Sequence, residues 1–134
     1  MGMLSSPVLL AAIYRDLMKL KLTYSYMRQN APTEEARRIV DLNLQTVKDS
    51  LDAIEGLHRI VADNATLPTE TAMDVPIFAT FMEAARYAFT IETQVISRAN
   101  SLHNTIEDCH KHKVMTMLVE HQLNAMRLLY LDLF

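Results

Sequence analysis

A chain of 134 residues, half of them hydrophobic, can bury one core of its own, yet two glycines, four prolines and no tryptophan leave it short of the turn residues a β-rich domain needs. Its Leu, Ala, Met, Glu, Lys and Arg favour helices. A formal charge of −3 without a Lys/Arg cluster argues against a nucleic-acid surface, and one cysteine, Cys109, excludes an internal disulfide framework.

The first helix is expected from about Ser6 to Arg28, with Pro7 in its first turn. Leu9, Ile13, Leu17, Leu20, Tyr24 and Met27 recur at helical spacing and form its inward stripe. The apolar run Val8 to Ile13 has no basic leader and passes directly into Arg15, Lys19 and Lys21. It therefore reads as neither signal peptide nor membrane span, and a cytoplasmic location is expected. The opening Met1-Gly2-Met3-Leu4-Ser5-Ser6 fits only the loose myristoylation pattern. Met18 and Leu22 lie opposite Ile13, which gives the helix a second apolar face. Such a face needs a cover, so a homodimer or a protein partner on the outer side of helix 1 is expected.

Asn30-Ala31-Pro32 ends this element, and Thr33 followed by Glu34 and Glu35 caps the second. Helix 2 should run to about Val61 on Val40, Leu44, Val47, Leu51, Ile54, His58 and Val61. Residues 62–74 form the longest break, after which Asp74 and Pro76 signal the start of helix 3. Helix 3 continues to about Leu102 or His103, with Ile77, Phe81, Ala84, Ala88, Ile91, Val95, Ala99 and Leu102 on one face. Helix 4 is expected from about His112 to Leu131, with Val114, Leu118, His121, Gln122, Ala125 and Leu129 inward and Glu120 outward. Long helices that each carry an apolar stripe bury them against one another. The expectation is an all-α four-helix bundle, one domain over residues 1–134, built as two hairpins. The connection between them either turns locally or, extended, crosses the bundle and leaves helices 2 and 3 parallel.

Glu92 breaks the pattern. It falls inside the apolar stripe of helix 3, between Ala88 and Val95. A buried carboxylate without a partner costs several kcal/mol, so the fold must supply one. Two readings follow: a metal ligand or proton acceptor, or a carboxylate held by His121 or by the hydroxyl of Tyr14, Tyr24 or Tyr26.

In length, hairpin order and helix placement the chain resembles the ferritin-like superfamily, in its small rubrerythrin- or bacterioferritin-related form. That family sets a Glu in helix 1, Glu-x-x-His in helix 2, Glu in helix 3 and Glu-x-x-His in helix 4 around two irons or manganeses. Asp16, in Ala12-Ile13-Tyr14-Arg15-Asp16, stands where the first Glu would, and Glu92, in Ala88-Phe89-Thr90-Ile91-Glu92, matches the helix 3 Glu. Helix 2 departs from the pattern: its inward pair at that spacing is Leu51 and Ile54, while Asp49 faces away. Helix 4 offers Glu120-His121-Gln122-Leu123-Asn124, with Asn124 in place of the histidine if His121 replaces the Glu. The resemblance thus implies a bundle whose diiron centre is degenerate, with no cofactor, and a dimer through helices 1 and 2. An altered site of Asp16, Glu92 and His121, two oxygens and a nitrogen, is the alternative; it would bind iron or manganese and handle iron or peroxide.

Other metal-capable residues read as ordinary. Glu55-Gly56-Leu57-His58 lies near a helix end, and Glu107-Asp108-Cys109-His110 in a turn that also carries His103 and His112. No Ser/His/Asp or Cys/His arrangement can be set at a strand end, because no strands are expected. The expected role is binding or structural rather than catalytic, and a helical adaptor docking a partner helix is the third alternative.

Overall fold

The computed structural model describes residues 4–62, 67 and 74–131. They form four long helices: α1 (Ser6–Gln29), α2 (Glu34–Val61), α3 (Phe81–Thr105) and α4 (Lys111–Tyr130), the last preceded by a 3₁₀ turn at Asp108–His110. The chain is an all-α four-helix bundle, and no strand occurs among the described residues. The expected connection from Ala62 to Asp74 and the Met1–Met3 start lie largely outside the described residues.

The N-terminal caps of α1, α2 and α3 follow from local sequence. Ser5 Oγ accepts from the Val8 N–H, Thr33 Oγ1 from Ala36 and Thr80 Oγ1 from Glu83. At α3 the Glu83 carboxylate also reaches back to the Ala79 N–H, 2.9 Å away. This reciprocal cap sets the start of α3 at Phe81 rather than at the Asp74–Pro76 signal. Ile77 is consequently outside the helix and fully exposed, not part of the inward stripe. Phe78 instead anchors the entry: its ring lies 5.4 Å from that of Tyr26 and 5.5 Å from that of Tyr87, and its carbonyl accepts from the Tyr26 hydroxyl.

Cross-helix pairs fix the directions. Tyr24 meets Glu92 and Asp16 meets Arg98, so α1 and α3 are antiparallel. Tyr24 meets Asn43 and Arg28 meets Asp41, so α1 and α2 are antiparallel as well. Ser50 with His121 sets α4 against α2, and Glu92 with His121 and Asn124 sets it against α3. Helices α2 and α3 therefore run parallel across the diagonal. The end of α2 and the start of α3 therefore lie at opposite ends of the bundle, a separation that the 19 positions between Val61 and Phe81 can span when extended.

The core is lined by Leu10, Ile13, Leu17, Leu20 and Met27 of α1, Val47 and Ile54 of α2, Val95 and Leu102 of α3, and Val114 of α4, among others. Ala84, Ala85, Ala88 and Ala99 are buried and keep the inward face of α3 low. Because α1 packs on both α2 and α3, Met18 is buried within the chain, and only Leu22 of the expected second face reaches solvent. On α4 the inward residues are Val114, Met117, His121, Asn124, Ala125 and Leu128. Gln122 and Leu129, expected inward, are exposed.

These placements separate two substitutions of similar chemistry. Leu102→Ala, at a fully buried site, is expected to lower the unfolding free energy by about 2–5 kcal/mol. Ile77→Ala should change it by no more than about 0.5 kcal/mol. Urea denaturation measures both, and equal losses would contradict the placement of the α3 start.

Candidate functional site

Midway along the bundle the apolar core is interrupted by a polar layer to which every helix contributes. Glu92 of α3 is its hub and is completely buried. Its Oε2 accepts from the Tyr24 hydroxyl of α1 at 2.6 Å and from Asn124 Nδ2 of α4 at 2.8 Å. Its Oε1 lies 2.5 Å from His121 Nδ1 of α4. The other ring nitrogen, His121 Nε2, lies 2.9 Å from Ser50 Oγ of α2. Asn43 of α2 donates through Nδ2 to the Tyr24 hydroxyl and to the Asn124 carbonyl, and Asn124 Nδ2 returns a bond to the Asn43 carbonyl. Arg127 closes the layer toward the surface, donating to Asn124 Oδ1 at 3.1 Å and Asn43 Oδ1 at 3.4 Å.

Helical periodicity turns these groups toward the interior of the bundle. Tyr24 continues the α1 stripe, Asn43 and Ser50 lie seven residues apart on α2, and His121, Asn124 and Arg127 recur at steps of three on α4. Among the described residues no buried side-chain nitrogen or oxygen lacks a partner. A layer satisfied to this degree does not carry the desolvation cost that an isolated carboxylate would. Burial, and after it the charge of Glu92, push the Tyr24 phenol well above its ordinary 10.

The structure joins two of the three residues expected to converge. Glu92 and His121 are in direct contact, whereas Asp16 stands apart, two helical turns up α1 from Tyr24 and ion-paired with Arg98. Burial raises the Asp16 pKa, and the Arg98 hydrogen bond opposes that shift. Leu51 and Ile54 are buried as expected, but the residues of α2 that join the layer are Asn43, two turns before Leu51, and Ser50, immediately before it. His58 is buried near the end of α2, well away from this layer. Glu107, Cys109 and His112 are exposed, and His103 and His110 partly so. Among the described residues no three His, Cys, Asp or Glu side chains are grouped to hold a metal ion.

The donor set does not fit a dimetal centre. Two divalent ions need several carboxylates to balance their charge, and this layer holds one. Both of its oxygens already accept hydrogen bonds, and its direct partners are a phenol, one imidazole and an amide, with a hydroxyl and a second amide beyond them. The sequence Ser50–His121–Glu92 has the connectivity of a hydroxyl, a base and an orienting acid, an arrangement not anticipated without strands. Ser50 lies inside α2 with its side chain buried, and helical N–H groups around it are spent on helix bonds. Those N–H groups are therefore not free to receive an oxyanion beside Ser50. A cavity of about 270 Å³ between α2 and α4 reaches Ser50 from the surface past Ala53, Thr116 and Met117.

Comparison with family models, with curated proteins and with solved structures gives no match, so the functional argument rests on the site and the surface.

The raised phenol pKa has a defined consequence. The native state holds the Tyr24 proton more tightly than the unfolded chain does. This contribution to stability is intact below pH 10 and is lost as the pH climbs beyond it. Between roughly pH 10 and 11.5 the wild type should lose up to about 1.4 kcal/mol per pH unit more than Tyr24→Phe. Urea titrations across that range check it, and parallel pH profiles would contradict a buried phenol bonded to Glu92.

Proposed function

We propose that the protein is a ferritin-like helical bundle whose central layer is held by hydrogen bonds in place of a diiron centre, and whose role is binding or structural rather than catalytic. The parallel run of α2 and α3, each antiparallel to α1, supports this reading, since ferritin-like bundles have one long crossover. The observation that carries the reading is the single carboxylate of the layer, Glu92, with both oxygens engaged by Tyr24, Asn124 and His121. Buried polar groups of this kind fix the register and alignment of helices, since a slipped helix would leave several of them unpaired. Such a core holds a scaffold in one arrangement and leaves recognition to its surface.

The alternative, an iron or manganese protein using Asp16, Glu92 and His121, would require Asp16 to leave Arg98 and cross two turns of α1. Purified protein incubated with ferrous, manganous or zinc ions and then desalted distinguishes the two. The proposal expects metal well below one ion per chain and an unchanged thermal midpoint. Stoichiometric metal that is lost in Glu92→Ala would establish the metalloprotein instead.

A further inference from the structure

Helix α4 has two apolar faces. One packs on the core, and the other, diametrically opposite, presents Met115, Val119, Leu123 and Met126 to solvent, each at least 40% exposed. Their spacing of four, four and three residues makes a continuous stripe along the helix, the pattern of a packing seam. The exposed ring of Tyr130 prolongs it by one more step. Exposed apolar residues elsewhere on α1 and α2, such as Val8, Leu22 and Ile60, are scattered and form no comparable line.

The stripe is symmetric about its middle. Val119 and Met126 flank Leu123 at nearly equal distances, and so do Met115 and Tyr130. The charges beside it are symmetric too. Glu120 and Arg127 lie on the same flank of α4, on the side facing α2, on either side of Leu123. When two copies of a helix pack antiparallel about a two-fold axis, like flanks meet, so Glu120 of one copy lies against Arg127 of the other, twice. A surface patch that complements itself in shape and in charge is what an isologous dimer requires.

We propose that α4 pairs with the α4 of a second copy of this chain, antiparallel and centred on Leu123, with reciprocal Glu120–Arg127 ion pairs. This deepens the binding role proposed above by naming the partner, and it replaces the helix 1 face as the site of dimerisation. Arg127 already donates to Asn43 and Asn124, so the pair would tie the interface to the central layer. The exposed Leu42 of α2, across a shallow groove from Leu123, would extend the contact.

The test is sedimentation equilibrium of the full chain. The wild type should have about twice the 15.3 kDa chain mass. Leu123→Glu sets two carboxylates against each other on the axis and should raise the dimer Kd roughly 30-fold or more. Its helicity and thermal midpoint as a monomer should stay close to wild type, because Leu123 is outside the core. Glu120→Arg, which confronts Arg127 with a like charge, should weaken the dimer, whereas Leu22→Glu on α1 should leave it intact. Oxidation of Leu123→Cys in a Cys109→Ser background should cross-link the two chains. A monomeric wild type at 100 μM (roughly the range where a useful dimer would be filled), or association that survives Leu123→Glu, would overturn the proposal. Metal uptake is independent of these outcomes, so a failed dimer test leaves the reading of the core standing on its own experiment.

Discussion

A carboxylate in the middle of a hydrocarbon core is tolerable only when its oxygens are occupied, and this requirement organises the whole bundle. Glu92 takes a phenol from α1, an amide and an imidazole from α4, and through that imidazole it reaches a hydroxyl on α2. The four helices are thereby tied at one level. Sliding any of them by a turn would strand a buried donor or acceptor, at a cost of about 1–3 kcal/mol for each group. Apolar packing alone tolerates such slips more easily, because a leucine stripe looks much the same one turn along. The polar layer therefore contributes specificity more than gross stability, and the apolar residues above and below it supply the driving force.

The same layer shows why this core does not suit a pair of metal ions. With α1 antiparallel to both, α2 and α3 run parallel, and inward positions of all four helices meet at the centre. At those positions this sequence has Tyr24, Asn43, Glu92 and Asn124, groups that satisfy one another in neutral or singly charged form. Asp16, the other buried acid, is withdrawn to an ion pair with Arg98 near the surface. The charge that a metal would neutralise is thus dispersed rather than gathered.

Much of this was legible in the sequence. Periodicity identified the four helices, and the scarcity of inward polar groups made His121 and a tyrosine the natural partners of Glu92; both are used. Asn43 and Ser50 were missed because a polar residue beside an apolar stripe, Asn43 next to Leu44 and Ser50 next to Leu51, reads as its solvent edge, whereas the inward face of α2 is wide enough to bury both. The start of α3 was misplaced because two signals compete, and the reciprocal bonds of Thr80 and Glu83 prevail over Pro76. Gln122 and Leu129 were turned inward because α4 is apolar on both sides, which leaves its wheel without a unique centre. That same ambiguity, resolved by the structure, exposes the stripe through Leu123. Met18 marks the converse case: a second apolar face on α1 that the chain itself covers.

The account depends on the Glu92–His121 contact being an energetic link between α3 and α4 and not a chance neighbour. A double-mutant cycle measures that link directly, using Glu92→Gln, His121→Gln and the double variant in urea denaturation. The account predicts a coupling energy of about 2 kcal/mol or more, in the range for partners within one buried network. Additive effects within about 0.5 kcal/mol would contradict it and leave the layer without its hub.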